Sequence, residues 1–393
     1  MNTEHIRRQC PVCDSEESLP FFHLRNVPVF CNRLLPTRRE AVNAAVGEME
    51  LAFCFDCGHV WNRAFEPELA AYDPAYHNPL DVSPCYVDYT KKLVHRLVER
   101  LQLHGGKVVE VGCGDGNFLE LICRETTSEG VGFDPAHTGP DLVLGPGYEI
   151  TFVRKTFGQF HGQIPADLVC CRQTLEHVAE PQRFMESLQE ELCSKKSCGV
   201  FLEVPNSLFS FRDLSIWDLI YEHVSYFCPR SLRRLLRRTG FGKSRVSEEY
   251  AGQFLGVYAG PGSAENDLPA EKQTPTISEI AGFRRRFAEK LEKWRARLAE
   301  LRRAGRTAVV WGAGSKGTMF LNLTRAGGEV TAAVDVNPKK HGAFIAITGH
   351  PIVSPAELVR NPPSEIIVMN RIYAGEIRAL TSSLGLESRL VFA

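Results

Sequence analysis

The apolar positions along the chain change rhythm three times. Up to about residue 66 they follow no helical period, and paired cysteines punctuate the stretch instead. From roughly 85 to 262, short apolar runs alternate with helical segments. "KVVEVG" (107–112), "GVGFDP" (130–135), "YEITFV" (148–153), "ADLVCC" (166–171) and "GVFLEV" (199–204) predict buried parallel strands in a βαβ order. Two further runs, "KSRVSEEY" and "QFLGVYAG", follow the helical "SLRRLLRRTGF" (231–241) and predict an antiparallel pair at the sheet edge. The polar "GPGSAENDLPAEKQTPT" (260–276) predicts a linker. Beyond it, Phe283, Phe287, Leu291, Trp294, Leu298 and Leu301 recur every three or four residues and predict one apolar face of a helix over 283–306. The basic excess of that segment, broken by Glu289, Glu292 and Glu300, predicts a solvated opposite face. From 307 to 393 a strand–glycine–helix pattern restarts.

Composition narrows the class. A chain of 393 residues predicts more than one domain, and 44% apolar with 24% charged residues is ordinary for a globular protein. A net charge of −1 offers no global field for nucleic acid or an anionic membrane. No long apolar run predicts a membrane span, and the start, "MNTEHIRRQCPVC", lacks an apolar signal core. Thirteen cysteines, an odd number with several inside predicted strands, suit a reducing cytoplasm better than a disulfide framework.

Four of those cysteines form two CxxC pairs, Cys10–Cys13 and Cys54–Cys57. Each turn puts two thiolates on one ion, so the two pairs together supply a closed tetrahedral set for structural Zn²⁺. Gly58, next to the second pair, eases the tight turn. His23, Cys31 and His59 lie nearby in sequence and are expected to be ordinary fold residues.

"VVEVGCGDGNFLELI" (108–122) reads as strand, glycine turn, helix, with Gly112, Gly114 and Gly116 following Glu110. The next strand ends in Asp134, a carboxylate suited to ribose hydroxyls. A third-glycine GxGxxG and a GK[ST] phosphate loop are both missing here, which favours S-adenosylmethionine, a cofactor with no phosphate to cradle. Phe157 is placed to touch an adenine or to fill the core. Gln173 and His177, in "CRQTLEHV" after the fourth strand, fall where open α/β sheets put ligand groups.

The second glycine loop, "AVVWGAGSKGTMFLN" (308–322), has a full GxGxxG in Gly312, Gly314 and Gly317, with Asp335 ending the following strand. By itself this is a dinucleotide fingerprint and keeps an NAD-linked oxidoreductase open. The block is about half a standard dinucleotide fold. A nucleoside diphosphate, with Lys316 on phosphate and Asp335 near the ribose, fits that size better.

"YEHVSYF" (221–227) sets Tyr221, Glu222 and His223 side by side. An imidazole base can take a proton beside a carbonyl if donors stabilise the developing enolate oxygen, and a carboxylate can orient the imidazole. Methyl transfer from a sulfonium itself needs no metal. Tyr226 and Phe227 are expected in the core.

Taken in order, "CPVC…CFDCGHVW", "VVEVGCGDGNFL", "TLEHV", "YEHVSYF" and "WGAGSKG…VDVNPKKHG" resemble the nucleotide-sugar C-methyltransferases, such as the 3-C-methyltransferases of branched deoxysugars. The resemblance runs along essentially the whole chain. It implies an α/β protein with a zinc-binding domain (1–66), a class I S-adenosylmethionine methyltransferase domain with a Rossmann-like sheet (67–262, of which 67–100 is a helical lead-in), a linker and connecting helix (263–306) and a C-terminal Rossmann-like substrate domain (307–393). The implied substrate is a nucleotide-linked 4-keto deoxysugar. His223 is the implied base, with Glu222, His177 and Tyr76 beside it. The chain departs from the family in having Ile220 where the family tyrosine stands, with Tyr221 displaced by one residue. It also has Met369 in place of a tryptophan, next to the retained Asn370 on the substrate side. O- or N-methylation of a sugar nucleotide or other small metabolite is the alternative chemistry. The expected partner is the small-molecule substrate, without nucleic acid or membrane, and the expected state is a monomer or weak homo-oligomer.

Overall fold

A computed structural model describes residues 6–70, 72–73, 75–76, 81–193, 197–242, 244–260, 263 and 268–393. The first block holds β1 (Ser18–Pro28), α1 (Arg38–Val42), β2 (Val46–Cys54) and β3 (Val60–Asn62). These strands form an antiparallel sheet, and a fourth strand reaches it from far along the chain: β10 (Ser225–Tyr226) pairs with β3, Ser225 opposite Trp61 and Tyr226 opposite Val60. The "YEHVSYF" stretch is thus the edge of the cysteine-bearing sheet.

The middle block runs α2 (Pro84–Leu101), β4 (Lys107–Val111), α3 (Asn117–Thr126), β5 (Glu129–Phe133), β6 (Leu142–Gly145), β7 (Tyr148–Val153), β8 (Leu168–Arg172), α4 (Pro181–Leu192), β9 (Gly199–Pro205), α5 (Ser207–Phe211), β10, α6 (Pro229–Arg238), β11 (Ser244–Glu249) and β12 (Phe254–Ala259). Its sheet is ordered β11-β12-β9-β8-β4-β5-β7-β6. The five strands predicted as buried and parallel are parallel, and the β11–β12 pair adds to β9 antiparallel. Strand order reverses at β4, so the loops leaving β4 and β8 diverge and open a crevice at their carboxyl ends.

The connecting helix, α7 (Ile277–Arg303), starts six residues before the predicted position. A capping box sets that start: Thr276 Oγ1 accepts the Glu279 N–H at 3.2 Å, and Glu279 Oε2 accepts the Thr276 N–H at 2.7 Å. All six predicted stripe residues are buried. Phe283 and Phe287 pack on Phe22 of β1, at ring-centroid distances of 5.1 and 4.6 Å, while Trp294 meets Phe320 further along at 5.0 Å. The solvated basic face is only partly realised. Arg286 and Lys290 donate to the Phe211 and Leu214 carbonyls, and Arg297 grips the buried Glu365 carboxylate at 2.8 Å. The helix thus ties the first and last blocks into one core.

The last block holds β13 (Ala308–Trp311), α8 (Ser315–Thr324), β14 (Val330–Val334), β15 (Ile352–Val353), β16 (Glu365–Val368), α9 (Ala374–Ser383) and β17 (Arg389–Phe392). Its sheet is all parallel, ordered β15-β14-β13-β16-β17, with a second reversal point at β13. Gly317 has a steric cause: a Cβ there would lie 1.9 Å from the Gly312 carbonyl oxygen. Among the described residues no helix is long and apolar enough to cross a membrane.

Candidate active site

Both glycine loops open onto one cavity of about 1650 Å³. Its walls include Glu110, Gly112, Gly114, Asp134, Phe157 and Gln173 from the methyltransferase side, and Gly312, Gly314, Lys316, Asp335 and Asn370 from the C-terminal side. Tyr76, His177 and His223 also face it. Three sequence candidates do not line it: Gly116, Tyr221 and Glu222.

The first loop is held by its own carboxylate. Asp134 accepts the Gly114 and Ala136 N–H groups, each at 2.8 Å, and burial raises its carboxyl pKa. Gly112 takes φ +76°, and a Cβ there would meet Thr174 Oγ1 at 1.9 Å. Gly116 serves the fold, since a Cβ there would strike the Phe152 ring at 2.4 Å. Gln173, at φ +49°, hydrogen-bonds Glu203. Phe157 is both wall and core, packed on Phe133 at 5.4 Å.

Glu110, near the end of β4, is 2% exposed, and burial pushes its carboxyl up to about 8. The folded-state value lies above the ordinary 4.5, so the folded chain keeps a proton that the unfolded chain releases. Its contribution to stability is fully present below about pH 4.5 and is lost as pH rises through about 8. Between those two values the loss is about 1.4 kcal/mol for each pH unit. Glu110→Gln is therefore expected to flatten the fall in Tm between pH 5 and pH 8. A slope identical to wild type in calorimetry would refute that.

The second loop mirrors the first. Asp335 accepts the Ala313 N–H at 3.0 Å and the Asn337 N–H at 2.9 Å, with Lys340 Nζ 3.5 Å away. Lys316 pairs with Asp218 and lies 5.4 Å from the Phe209 ring centroid. The Asn370 side-chain amide pairs with that of Gln253 at 2.8 and 3.1 Å.

The three adjacent residues of "YEH" go three ways. Tyr221 is fully buried against Phe65 and Gly47, and its hydroxyl accepts the Glu66 N–H at 2.9 Å. Its expected catalytic role is corrected: the phenol braces the strand junction and faces away from the cavity. Glu222 is buried, and its Oε1 accepts the Cys31 N–H at 3.0 Å, so it anchors the 31–32 backbone and its carboxyl is not turned to the imidazole. Burial raises that carboxyl to about 8. His223 alone reaches the cavity, and its ring centroid is 4.9 Å from that of His177.

His177 sits on a turn of 3₁₀ helix (Leu175–His177). Its Nδ1 lies 2.9 Å from the Glu222 carbonyl oxygen and 2.6 Å from the Tyr72 hydroxyl. Burial lowers its pKa to about 4 and holds that of His223 well below the usual range. Sequence reasoning missed Tyr72 and Glu176. Tyr72 stands four residues before Tyr76 and meets it edge-on at 4.8 Å. Glu176 was visible in "TLEHV", where only the histidine was singled out.

The four paired cysteines converge. Cys10 Sγ is 3.6 Å from Cys57 Sγ, and Cys13 Sγ is 3.5 Å from Cys54 Sγ, with Cys10, Cys54 and Cys57 buried. His23, Cys31 and His59 fall outside this set.

Residues 86–243 match the family described as a methyltransferase domain, and residues 267–392 match the one described as a C-methyltransferase C-terminal domain. The chain carries both domains, and the sheet around the first glycine loop is the class I α/β methyltransferase sheet. Among curated proteins it is similar to the ubiquinone biosynthesis O-methyltransferases of Salmonella paratyphi A and Salmonella typhi. Identity is 37% over 86 residues, covering 20% of this chain and 35% of each of theirs. The chain thus spans about a third of the length of these curated relatives. Among solved structures, it is similar to magnesium protoporphyrin IX methyltransferase from Synechocystis PCC 6803 with bound SAH (18% identity, 47% of this chain and 89% of that one, TM-score 0.35). It is also similar to 1,6-didemethyltoxoflavin-N1-methyltransferase from Burkholderia thailandensis (15% identity, 46% and 81%, TM-score 0.34).

Proposed function

We propose that this protein is an S-adenosylmethionine-dependent C-methyltransferase acting on a nucleotide-linked 4-keto deoxysugar. The observation that carries the reading is the single cavity shared by the two glycine loops and the His177–His223 pair. The C-terminal match to a C-methyltransferase domain agrees with it. S-adenosylmethionine is assigned to the loop after β4, with Asp134 toward its ribose and Phe157 toward its adenine. The nucleotide is assigned to the loop after β13, near Lys316. A carbon–hydrogen bond beside the ketone breaks, and its proton leaves toward the histidine pair. The electron pair forms the enolate, whose carbon then bonds the sulfonium methyl group. The sulfur–methyl bond breaks and leaves neutral S-adenosylhomocysteine. The Tyr72 hydroxyl lies 2.6 Å from His177 Nδ1, and Tyr76 packs edge-on against Tyr72.

The Cys10, Cys13, Cys54 and Cys57 set is assigned to structural Zn²⁺. Four Zn–S bonds of about 2.3 Å put tetrahedral sulfurs about 3.8 Å apart, close to the separations seen here. No protein or solvent group is needed to complete that set.

The test is solvent exchange. The protein, S-adenosylhomocysteine and a panel of TDP-4-keto-6-deoxysugars are mixed in D₂O, and the proton beside the ketone is followed by NMR. Enzyme-dependent exchange at one carbon is expected and names the methylated position. No exchange across the panel, with methyl transfer to a hydroxyl or amine acceptor, would replace this reading by O- or N-methylation.

A further inference from the structure

We propose that Arg172 binds the carboxylate at the methionyl end of S-adenosylmethionine, and so separates the intact cofactor from its decarboxylated form and from 5′-methylthioadenosine. Arg172 is the last residue of β8, one position before Gln173. It lines the cavity, although only 8% of it is exposed. Its guanidinium carbon stands 4.0 Å from the ring centroid of Phe118, the second residue of α3. Resting on the assignment of S-adenosylmethionine to the loop after β4, this places a buried cation beside the cofactor's own loop.

A buried cation needs partners, and those seen here meet one corner of it. Nη2 donates to the Tyr86 hydroxyl and to Glu203 Oε1, each at 3.0 Å. Nε is buried without a hydrogen-bond partner among the described residues. A guanidinium carries five N–H donors in a fixed fork that matches the two oxygens of a carboxylate. Glu203 is shared among several donors, since its Oε2 receives the Tyr89 hydroxyl and its Oε1 also receives Gln173 Nε2 at 3.3 Å. Glu110 is a second carboxyl within electrostatic reach of the guanidinium. Burial pushes its pKa up to about 8, so near neutral pH it is largely uncharged and leaves the cation uncancelled. A counter-ion for Glu203 alone would need neither a face on the cavity nor a spare donor.

The ligand side is equally specific. S-adenosylmethionine has a single anionic group, its α-carboxylate. The decarboxylated cofactor and 5′-methylthioadenosine carry the same adenosine without it. Each leaves the guanidinium donors empty in a largely buried place, the situation in which a missing polar group is rejected most strongly.

The experiment titrates the full chain calorimetrically with S-adenosylhomocysteine, its decarboxylated analogue and 5′-methylthioadenosine. Wild type is expected to bind S-adenosylhomocysteine about 10–100-fold more tightly than the decarboxylated analogue, the range for a hydrogen bond to a charged group. Arg172→Gln is expected to remove that preference and keep the affinity for 5′-methylthioadenosine, which also reports that the variant is folded. Because this change leaves the Glu203 carboxylate buried without its cation, Arg172→Gln/Glu203→Gln is measured beside it, with the same expected result. A preference that survives in a variant still binding 5′-methylthioadenosine overturns the proposal. Loss of 5′-methylthioadenosine binding in both variants assigns Arg172 to the fold and overturns it too. If wild type binds all three ligands alike, the cofactor assignment stands and the role of Arg172 falls. If wild type binds none of them, both fall.

Discussion

His223→Ala is expected to lose methyl transfer by about 10²–10⁴-fold, the range for removing a positioned proton-transfer group, while S-adenosylhomocysteine still binds. The loop assigned to the cofactor joins β4 to α3, elements that do not contain His223. His223 instead faces His177, 4.9 Å away between ring centroids, at the meeting of the methyltransferase block and the cysteine-bearing sheet. Single-turnover transfer from labelled S-adenosylmethionine gives the rate, and calorimetric titration gives the affinity. A loss of less than about tenfold, set against that range, would move the chemistry to another group. A parallel loss of cofactor affinity would mean that the variant had disturbed the fold.

Cys54→Ala is expected to damage stability and activity together. Structural zinc contributes on the order of 10 kcal/mol to small sites, comparable with the whole net stability of a typical domain. Losing even ~3 kcal/mol of it lowers Tm by about 10 °C at 2–4 °C per kcal/mol. The damage is expected to spread because Cys54 ends β2, which pairs with β3, which pairs with β10 at Ser225 and Tyr226. Two residues before Ser225 stands His223. Calorimetry, metal content and transfer rate measured on the same preparation check this. A variant with normal Tm and activity would remove the structural assignment of the cysteine set.

Some of this was legible from local pattern. The five parallel strands of the middle block, the β11–β12 pair and both glycine turns follow from short apolar runs, although β7, predicted as buried, alternates buried and exposed residues because it lies near the sheet edge. The stripe on α7 was visible too. Its early start was also written in the sequence, as Thr276 and Glu279 at capping-box spacing. The two CxxC pairs announced a four-sulfur set across forty intervening residues because thiolates at that spacing have few other uses.

Other features depended on distance in the fold. Adjacent residues in an extended segment point in different directions, so the adjacency of Tyr221, Glu222 and His223 could not say which one enters the cavity. Only the pairing of β10 with β3 decides it, sending the phenol to Glu66, the carboxyl to Cys31 and the imidazole to His177. Likewise Asp134 and Asp335 were recognisable as carboxylates after strands, but their grip on the loop amides needed the loops folded back on them. The sequence by itself determined the strands, the glycine turns and the cysteine set, since each rests on contacts within a few residues or on an unusual residue type. The tertiary structure alone decided that two glycine loops share one cavity, and that Glu176 and two histidines meet at its wall. Those groupings join segments far apart in the chain, His177 and His223 being 46 positions apart, and only packing across the blocks brings them together.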